Sequence, residues 1–298
     1  MKKIFFITAF TFILFSCTTT KINIDQKTTL LPVETSQSIS YFSNDDLIPQ
    51  TVNWEKIQEG FYKTSFHIKN IKVHWTCIKI DLSTPNLRIA YQPNENTLGN
   101  KFQLKKFAKQ NKTIVAINTT PFDLKGKTYL PVGITKYDNK VISPSNKSYC
   151  ALCFYYDKNN QLRANILPSQ IDEELDNYPY AFGGFFSILI DNKIQTFEKS
   201  RRSRVACGIN QTKNELYLFV TTPDFHIRDR NGLNYEECAF ILQKLGCSDA
   251  MQFDGGHSSG LCIYDKNIEV PFLQRKVPTA IGFYCELSSE DSDSFSFE

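Results

Sequence analysis

Short runs of alternating apolar and polar residues, broken by Asn, Asp, Gly or Pro, fill this chain from Val73 onward. Val73–Leu82, Leu87–Tyr91, Thr113–Asn118, Val132–Lys136, Ala151–Tyr156, Ser187–Ile190, Arg204–Ile209 and Glu215–Thr221 each read as a strand. β-Branched and aromatic residues suit a pleated, half-buried surface, and the breakers mark the turns. Two stretches repeat near 3.6 residues instead. Phe102–Gln110 gathers Phe102, Leu104, Phe107 and Ala108 near one face. Tyr235–Leu245 does so with Cys238, Ala239, Ile241, Leu242 and Leu245, and Gly246 supplies its stop. Few helices among many strands predict an α+β class, a mixed or antiparallel strand-rich domain with a few helices.

The ends of the chain follow other patterns. Lys2 and Lys3 precede an apolar run, Ile4–Phe15, too short to span a bilayer comfortably, which reads as a secretory signal over residues 1–16. Leu14-Phe15-Ser16-Cys17 resembles a bacterial lipobox, so Cys17 is the expected lipidation site; an ordinary signal cut near Ser16, or an uncleaved anchor, is the alternative. Residues 17–50 are polar, rich in Thr, Ser, Asn and Gln, and read as a tether. Residues 288–298 hold Glu290, Asp291, Asp293 and Glu298 without a cation, the composition of a solvated acidic tail. About 235 residues remain in 51–287, enough for one sheet-rich domain. The expected location is the bacterial cell envelope, exported and tethered to the membrane by lipid.

Charge narrows the partners. The net charge is +3; without the two leader lysines and the four tail acids it becomes +5. That suits anionic ligands and lacks the basic stripe of a nucleic-acid binder. Of nine cysteines, Cys77, Cys207, Cys262 and Cys285 lie in apolar strand-like runs, where a small thiol packs well. Cys150 and Cys153 have the spacing of half a zinc knuckle but no matching second pair. They read as strand positions. If one disulfide forms, Cys238 with Cys247 is the expected pair.

The segment Met251–Gly260 carries the strongest chemical signal. Apolar residues lead into one carboxylate, Asp254, and then a loop holding Gly255, Gly256, His257, Ser258, Ser259 and Gly260. Two adjacent glycines allow a sharp turn and close approach of a ligand, and successive N–H groups can form an anion-binding nest. A plain Asp-Gly hairpin is the competing reading. Three more segments look like strands ending in loops: Ala116–Asp123, Ala181–Phe186 around Gly183 and Gly184, and Arg201–Ile209. Arg204 sits where a cationic loop enters a strand, and its fork of donors suits phosphate or carboxylate. Asn118 alone reads as a strand-ending Asx turn.

Taken together and in order, these segments resemble the phosphodiester glycosidase family, from about His74 to Phe283. Family members have Ala-Ile-Asn-Gly-Gly-Phe-Phe where this chain has Ala116-Ile117-Asn118-Thr119-Thr120-Pro121-Phe122. They have Arg-Thr-Ala-Ile-Gly against Arg204-Val205-Ala206-Cys207-Gly208. A glycine, a helix, Leu-Gly-Cys, Asp-Ala and Asp-Gly-Gly-Gly-Ser follow, matched by Gly232, the Tyr235 helix, Leu245-Gly246-Cys247, Asp249-Ala250 and Asp254-Gly255-Gly256-His257-Ser258. The closing strand's arginine and Ala-Ile match Arg275 and Ala280-Ile281. Thr119, Thr120, Pro121 and His257 depart from the pattern, which puts substrate choice in question more than reaction class.

The resemblance implies cleavage of a sugar-1-phosphodiester at the anomeric carbon. Ordinary glycosidases need a second carboxyl group to protonate a poor leaving group. A phosphate monoester, with a remaining pKa of about 6, needs charge stabilisation instead. Asp254, Asn118 and Arg204 are the expected catalytic residues: Asp254 toward water or the anomeric carbon, Asn118 toward a sugar hydroxyl, Arg204 toward phosphate. Gly255, Gly256, His257, Ser258, Gly184 and Arg275 are the expected substrate-binding set. No cofactor is required. A weaker option places calcium or magnesium between Asp254 and Asp123 or Asp224. Two other classes remain open: a non-catalytic lipoprotein binding anionic glycans, and a metal-dependent phosphodiesterase. The latter is poorly served by four histidines, none paired at close spacing.

Overall fold

The computed structural model describes residues 44–197, 199–223, 232–263, 268–270 and 275–286. The leader with Cys17, most of the tether, Asp224 and the acidic tail lie outside them. In chain order the strands are β1 (Glu55–Gln58), β2 (Phe61–Ile68), β3 (Val73–Asp81), β4 (Leu87–Gln92), β5 (Val115–Asn118), β6 (Phe122–Lys125), β7 (Thr128–Pro131), β8 (Thr135–Tyr137), β9 (Lys140–Ser143) and β10 (Ala151–Tyr156). There follow β11 (Leu162–Leu167), β12 (Tyr180–Gly183), β13 (Ser187–Ile190), β14 (Lys193–Ile194), β15 (Val205–Asn210), β16 (Glu215–Pro223), β17 (Asp249–Gln252), β18 (Leu261–Ile263), β19 (Ile268–Val270) and β20 (Ala280–Cys285). The α-helices of the described residues are α1 (Leu104–Gln110), α2 (Asp172–Leu175) and α3 (Tyr235–Leu245).

All the strand pairs among the described residues are antiparallel, one of the two arrangements expected. An eight-stranded sheet has the order β1-β2-β3-β16-β15-β17-β13-β14. Two five-stranded sheets run β11-β10-β12-β8-β9 and β19-β18-β5-β20-β4, and β6-β7 is a separate hairpin. The central core lies between these layers. Val205, Cys207 and Ile209 of β15 enter it beside Ile78, Leu152, Phe182, Val115 and Phe283. Phe154 stands edge-on to Phe182 and Phe283, at 6.3 and 5.9 Å between ring centroids, and so ties the two five-stranded sheets together. Burying each such ring is worth roughly 1.5–3 kcal/mol.

The alternate residues face outward and are roofed by the helices. Ala206, Phe219 and Ala250 meet the inner stripe of α3. Its ends are fixed locally: Asn234 and Glu237 form a reciprocal capping box, and Gly246 closes the helix at φ 112°. Helix α1 covers Ala116 and Ala280, and Leu175 of α2 packs with Ala151 and Ala181.

Several expectations shift. The packed chain starts before Thr51, because Leu47 is fully buried and its carbonyl accepts the Trp75 indole N–H at 2.8 Å. Phe102 stands ahead of α1 in a bridge with Val277. Strand β8 begins at Thr135, since Gly133 at φ 103° interrupts the run expected from Val132. The expected Cys238–Cys247 disulfide is not formed: both are free thiols. Cys238 is buried on the inner face of α3, while the Cys247 sulfur packs where Gly208 lacks a Cβ. Burial pushes the thiol pKa of both upward. His67 and His74, unpaired by sequence spacing, stack face to face at 4.0 Å because the β2–β3 register sets them opposite each other.

Gln170, fully buried, was not among the expected residues. Its carbonyl oxygen accepts from Ile134 N–H and Asn146 N–H, both at 2.8 Å, and its amide donates to the Cys150 carbonyl at 2.7 Å. Gln170→Leu leaves the Ile134 and Asn146 N–H groups without this acceptor, while the Cys150 carbonyl keeps the Gly184 N–H. Urea unfolding is expected to show a loss of about 2–4 kcal/mol, against under about 0.5 kcal/mol for Lys158→Leu on the surface.

Candidate active site

Strands of all three large sheets converge on one end of the molecule. Strands β5, β12 and β17 end there, and β10, β13, β15, β18 and β20 begin there, as their registers require. The chain crosses between sheets at this rim. Residues 184–186 carry it from β12 to β13, and 253–260 from β17 to β18.

Asp254 stands on the second crossing. Its N–H donates to the Thr119 carbonyl at 2.8 Å, and its carbonyl accepts from Asn118 Nδ2 at 2.7 Å. The other carboxamide atom, Asn118 Oδ1, accepts the Gly260 N–H at 2.9 Å. Asn118, 1 % exposed, thus pins both ends of the loop to β5. The expected orientation toward a sugar hydroxyl gives way to contacts with the loop backbone on both sides of the crossing, which hold Asp254 in place.

The carboxylate of Asp254 interacts with Ser258 and Arg275. Ser258 is fully buried, and its hydroxyl accepts a hydrogen bond from Arg275 Nη2. Arg275 also lies over Phe122, 5.5 Å from the ring centre. Desolvation by burial is the largest influence on Asp254 and outweighs the help of both partners, so its pKa is pushed up to about 6. A carboxylate in that range is a base near neutrality.

Arg204 lies elsewhere. Its backbone adjoins the loop, with Gly256 N–H donating to the Ser203 carbonyl at 2.8 Å. Its side chain is 6 % exposed and takes the α3 side, the face of Ala206. There its guanidinium lies 3.7 Å from the centre of the Tyr235 ring. Nε donates to the Leu233 carbonyl at 3.0 Å and Nη2 to the Ser200 carbonyl at 2.6 Å. Side chains alternate along a strand, and Val205 takes the central-core side. The cation beside Asp254 is therefore Arg275, and Arg204 braces the loop's neighbour.

The glycines act through space. A Cβ on Gly184 would stand 2.4 Å from the Gln252 carbonyl oxygen, and one on Gly255 2.9 Å from that of Ser203. Gly256 sits at φ 59°. The nest expected over Gly255–Ser258 is smaller than its sequence suggests, because Gly256 N–H and Ser258 N–H already donate to the Ser203 and Gly255 carbonyls. His257 is exposed on the loop. Thr119 and Thr120, the bulkier departures, are buried, with Thr120 Oγ1 unpartnered among the described residues. Asp123 is exposed on β6. Among the described residues, no three His, Cys, Asp or Glu side chains gather into a cluster that could hold a metal ion.

The family model described as phosphodiester glycosidase matches residues 111–284, more than half of the chain and the span from just before β5 into β20. The chain belongs to the phosphodiester glycosidase family. Solved structures agree at the level of fold. A hypothetical protein from Synechocystis aligns with TM-score 0.61 at 15 % identity, over 80 % of this chain and 64 % of that one, so this chain spans about two thirds of its length. The catalytic domain of zebrafish N-acetylglucosamine-1-phosphodiester alpha-N-acetylglucosaminidase, auto-inhibited by its pro-peptide, gives 0.59 at 16 % identity, over 79 % and 88 %. A protein from Burkholderia pseudomallei gives 0.54 at 11 % identity, over 71 % and 74 %. No curated protein sequence matches the chain. The crossing that carries Asp254 lies within the matched span of this phosphodiester glycosidase domain.

Two outcomes follow. Asn118→Leu strands the Asp254 carbonyl and the Gly260 N–H, and calorimetry is expected to show a loss of about 2–4 kcal/mol. Asp254→Asn should act in the opposite sense and with pH. A carboxyl with pKa 3.8 unfolded and about 6 folded costs nothing below pH 3.8, where both states are protonated. The cost grows as pH rises and is constant above about 6. At pH 8 the variant should therefore be more stable by on the order of 3 kcal/mol, and by pH 3.5 the gap should close.

Proposed function

We propose that this domain hydrolyses the anomeric C–O bond of a sugar-1-phosphodiester, with an N-acetylhexosamine-1-phosphodiester as the type of substrate. The observation that carries the reading is Asp254, a half-sheltered carboxyl of pKa about 6, set on a rigid loop beside one guanidinium. Arg275 takes the phosphate, with Ser258 as its bonded neighbour. Asp254 takes a proton from water as the water oxygen bonds to the anomeric carbon. The C–O bond breaks, and its electron pair leaves on the phosphate oxygen. That oxygen departs as a phosphate monoester anion and needs no acid, so one carboxylate is enough. The scheme requires no cation. The family and the fold support the reaction class; the sugar and the roles of these residues are our reading.

We infer in the same way that the domain works outside the cytoplasm, anchored through Cys17 in a bacterial cell envelope. Lys2, Lys3, the Ile4–Phe15 run and the Leu14-Phe15-Ser16-Cys17 motif support this.

The test uses the purified full-length chain with UDP-N-acetylglucosamine and other sugar-1-phosphodiesters, following free sugar. We expect kcat/KM to fall below pH 6, as Asp254 protonates, and Asp254→Asn to lose at least about 10³-fold. Arg275→Gln removes the charge that lowers the Asp254 pKa. It should move that limb to higher pH and raise KM about tenfold or more. Sugar-phosphate binding by wild type and Asp254→Asn alike, with no release of sugar from any substrate, would instead make this a binding module.

A further inference from the structure

The end of the sandwich away from Asp254 holds a cavity of about 340 Å³. Tyr155, Arg163, Asn165, Gln211, Asn214 and Glu215 are in its wall. Strand β15 measures the separation. It begins at Val205, bonded to Phe253 of the Asp254 crossing, and ends at Asn210 in the cavity wall. Six residues of strand make that roughly 20 Å. The cavity is thus distinct from the rim site, and its volume lies within the usual range of ligand pockets.

We propose that this cavity binds an uncharged sugar unit, as a glycan-holding site separate from the Asp254 end. The wall has no net charge to offer. Arg163 is neutralised by Asp157 at 2.9 Å and Glu215 by Lys79 at 3.5 Å. Phosphates and metal ions gain little from such a surface.

The polar groups that remain are amides held in place by their own bonds. Asn214 Nδ2 donates to the Ser83 hydroxyl at 3.1 Å and the Leu162 carbonyl at 3.0 Å. Gln211 Nε2 donates to Asn165 Oδ1 at 3.3 Å. Those bonds fix the two amides and leave their oxygens, Gln211 Oε1 and Asn214 Oδ1, as acceptors without a partner among the described residues. Tyr155 is 37 % exposed. One contact, edge-to-face with Tyr178 at 5.8 Å, orients its ring.

A sugar ring matches this set. Its hydroxyls donate to fixed acceptors, and its C–H face lies on an aromatic ring. An apolar ligand would cover the amides without satisfying them, which costs about 1–3 kcal/mol per group. The site stands whether or not Asp254 is catalytic.

Titration calorimetry and saturation-transfer NMR on the full-length chain test it, with chitotriose and maltotriose as probes and inorganic phosphate as competitor. One of the two saccharides should bind wild type and Asp254→Asn equally, without competition from phosphate. Gln211→Ala and Tyr155→Ala should each weaken it about fivefold or more, whereas Tyr155→Phe, which keeps the ring, should lose less. The proposal fails if neither saccharide binds at millimolar concentration. It also fails if binding survives both alanine variants, or is lost in Asp254→Asn, which places the sugar at the rim.

Discussion

One carboxamide joins the two halves of this molecule's chemistry. Asn118 ends the middle strand of one sheet, and its side chain donates to the Asp254 carbonyl and accepts the Gly260 N–H, near the two ends of the chain that crosses from the other sheet. Those bonds fix both ends of a seven-residue stretch that contains three glycines. Glycine-rich loops lose the most entropy on ordering. Two hydrogen bonds from a buried side chain, with the Asp254 N–H bonded to Thr119 and the Gly256 N–H to Ser203, add to the burial of Ser258 and Ser259 in holding this stretch.

That rigidity sets the electrostatics. Asp254 is covered enough for desolvation to dominate, and Ser258 and Arg275 recover only part of the cost. A mobile loop would turn the carboxyl to water and return it to the ordinary range. Fixed where it is, Asp254 stays largely ionised at neutral pH yet basic enough to take a proton. The nearby cation, Arg275, stands on the strand-entry segment before β20, so it and Asp254 flank the same seam that Asn118 closes. Arg204 occupies a corresponding strand entry, but strand alternation carries its guanidinium to the α3 side, where carbonyls and Tyr235 hold it.

Features written in neighbouring residues were legible in the sequence. The Tyr235–Leu245 helix needs only its own apolar period, the Asn234–Glu237 cap and Gly246, and the structure has it with those limits. The Asp254 loop announced itself because glycines and hydroxyls rarely follow an acid in that density without a turn to make. Bonds between distant segments were hidden. Asn118 looked like a strand terminator, since its partners are 136 and 142 residues away. Gln170, a polar residue fully buried between loops, left no local mark. Strand β2, not among the expected strands, is held by its register with β3 from Phe61 opposite Ile80 to Ile68 opposite Val73. Arg204 was misjudged because a single strand does not say which side a residue at its edge will take.

The central claim is that the sugar leaves its phosphate by breakage at carbon, with water activated by Asp254. Hydrolysis of a sugar-1-phosphodiester by the full-length chain in ¹⁸O-water reads this directly, by mass spectrometry of both products after a single turnover. The heavy oxygen is expected in the sugar and none in the phosphate monoester. Label in the phosphate would mean attack at phosphorus, and the roles given to Asp254 and Arg275 would then be wrong.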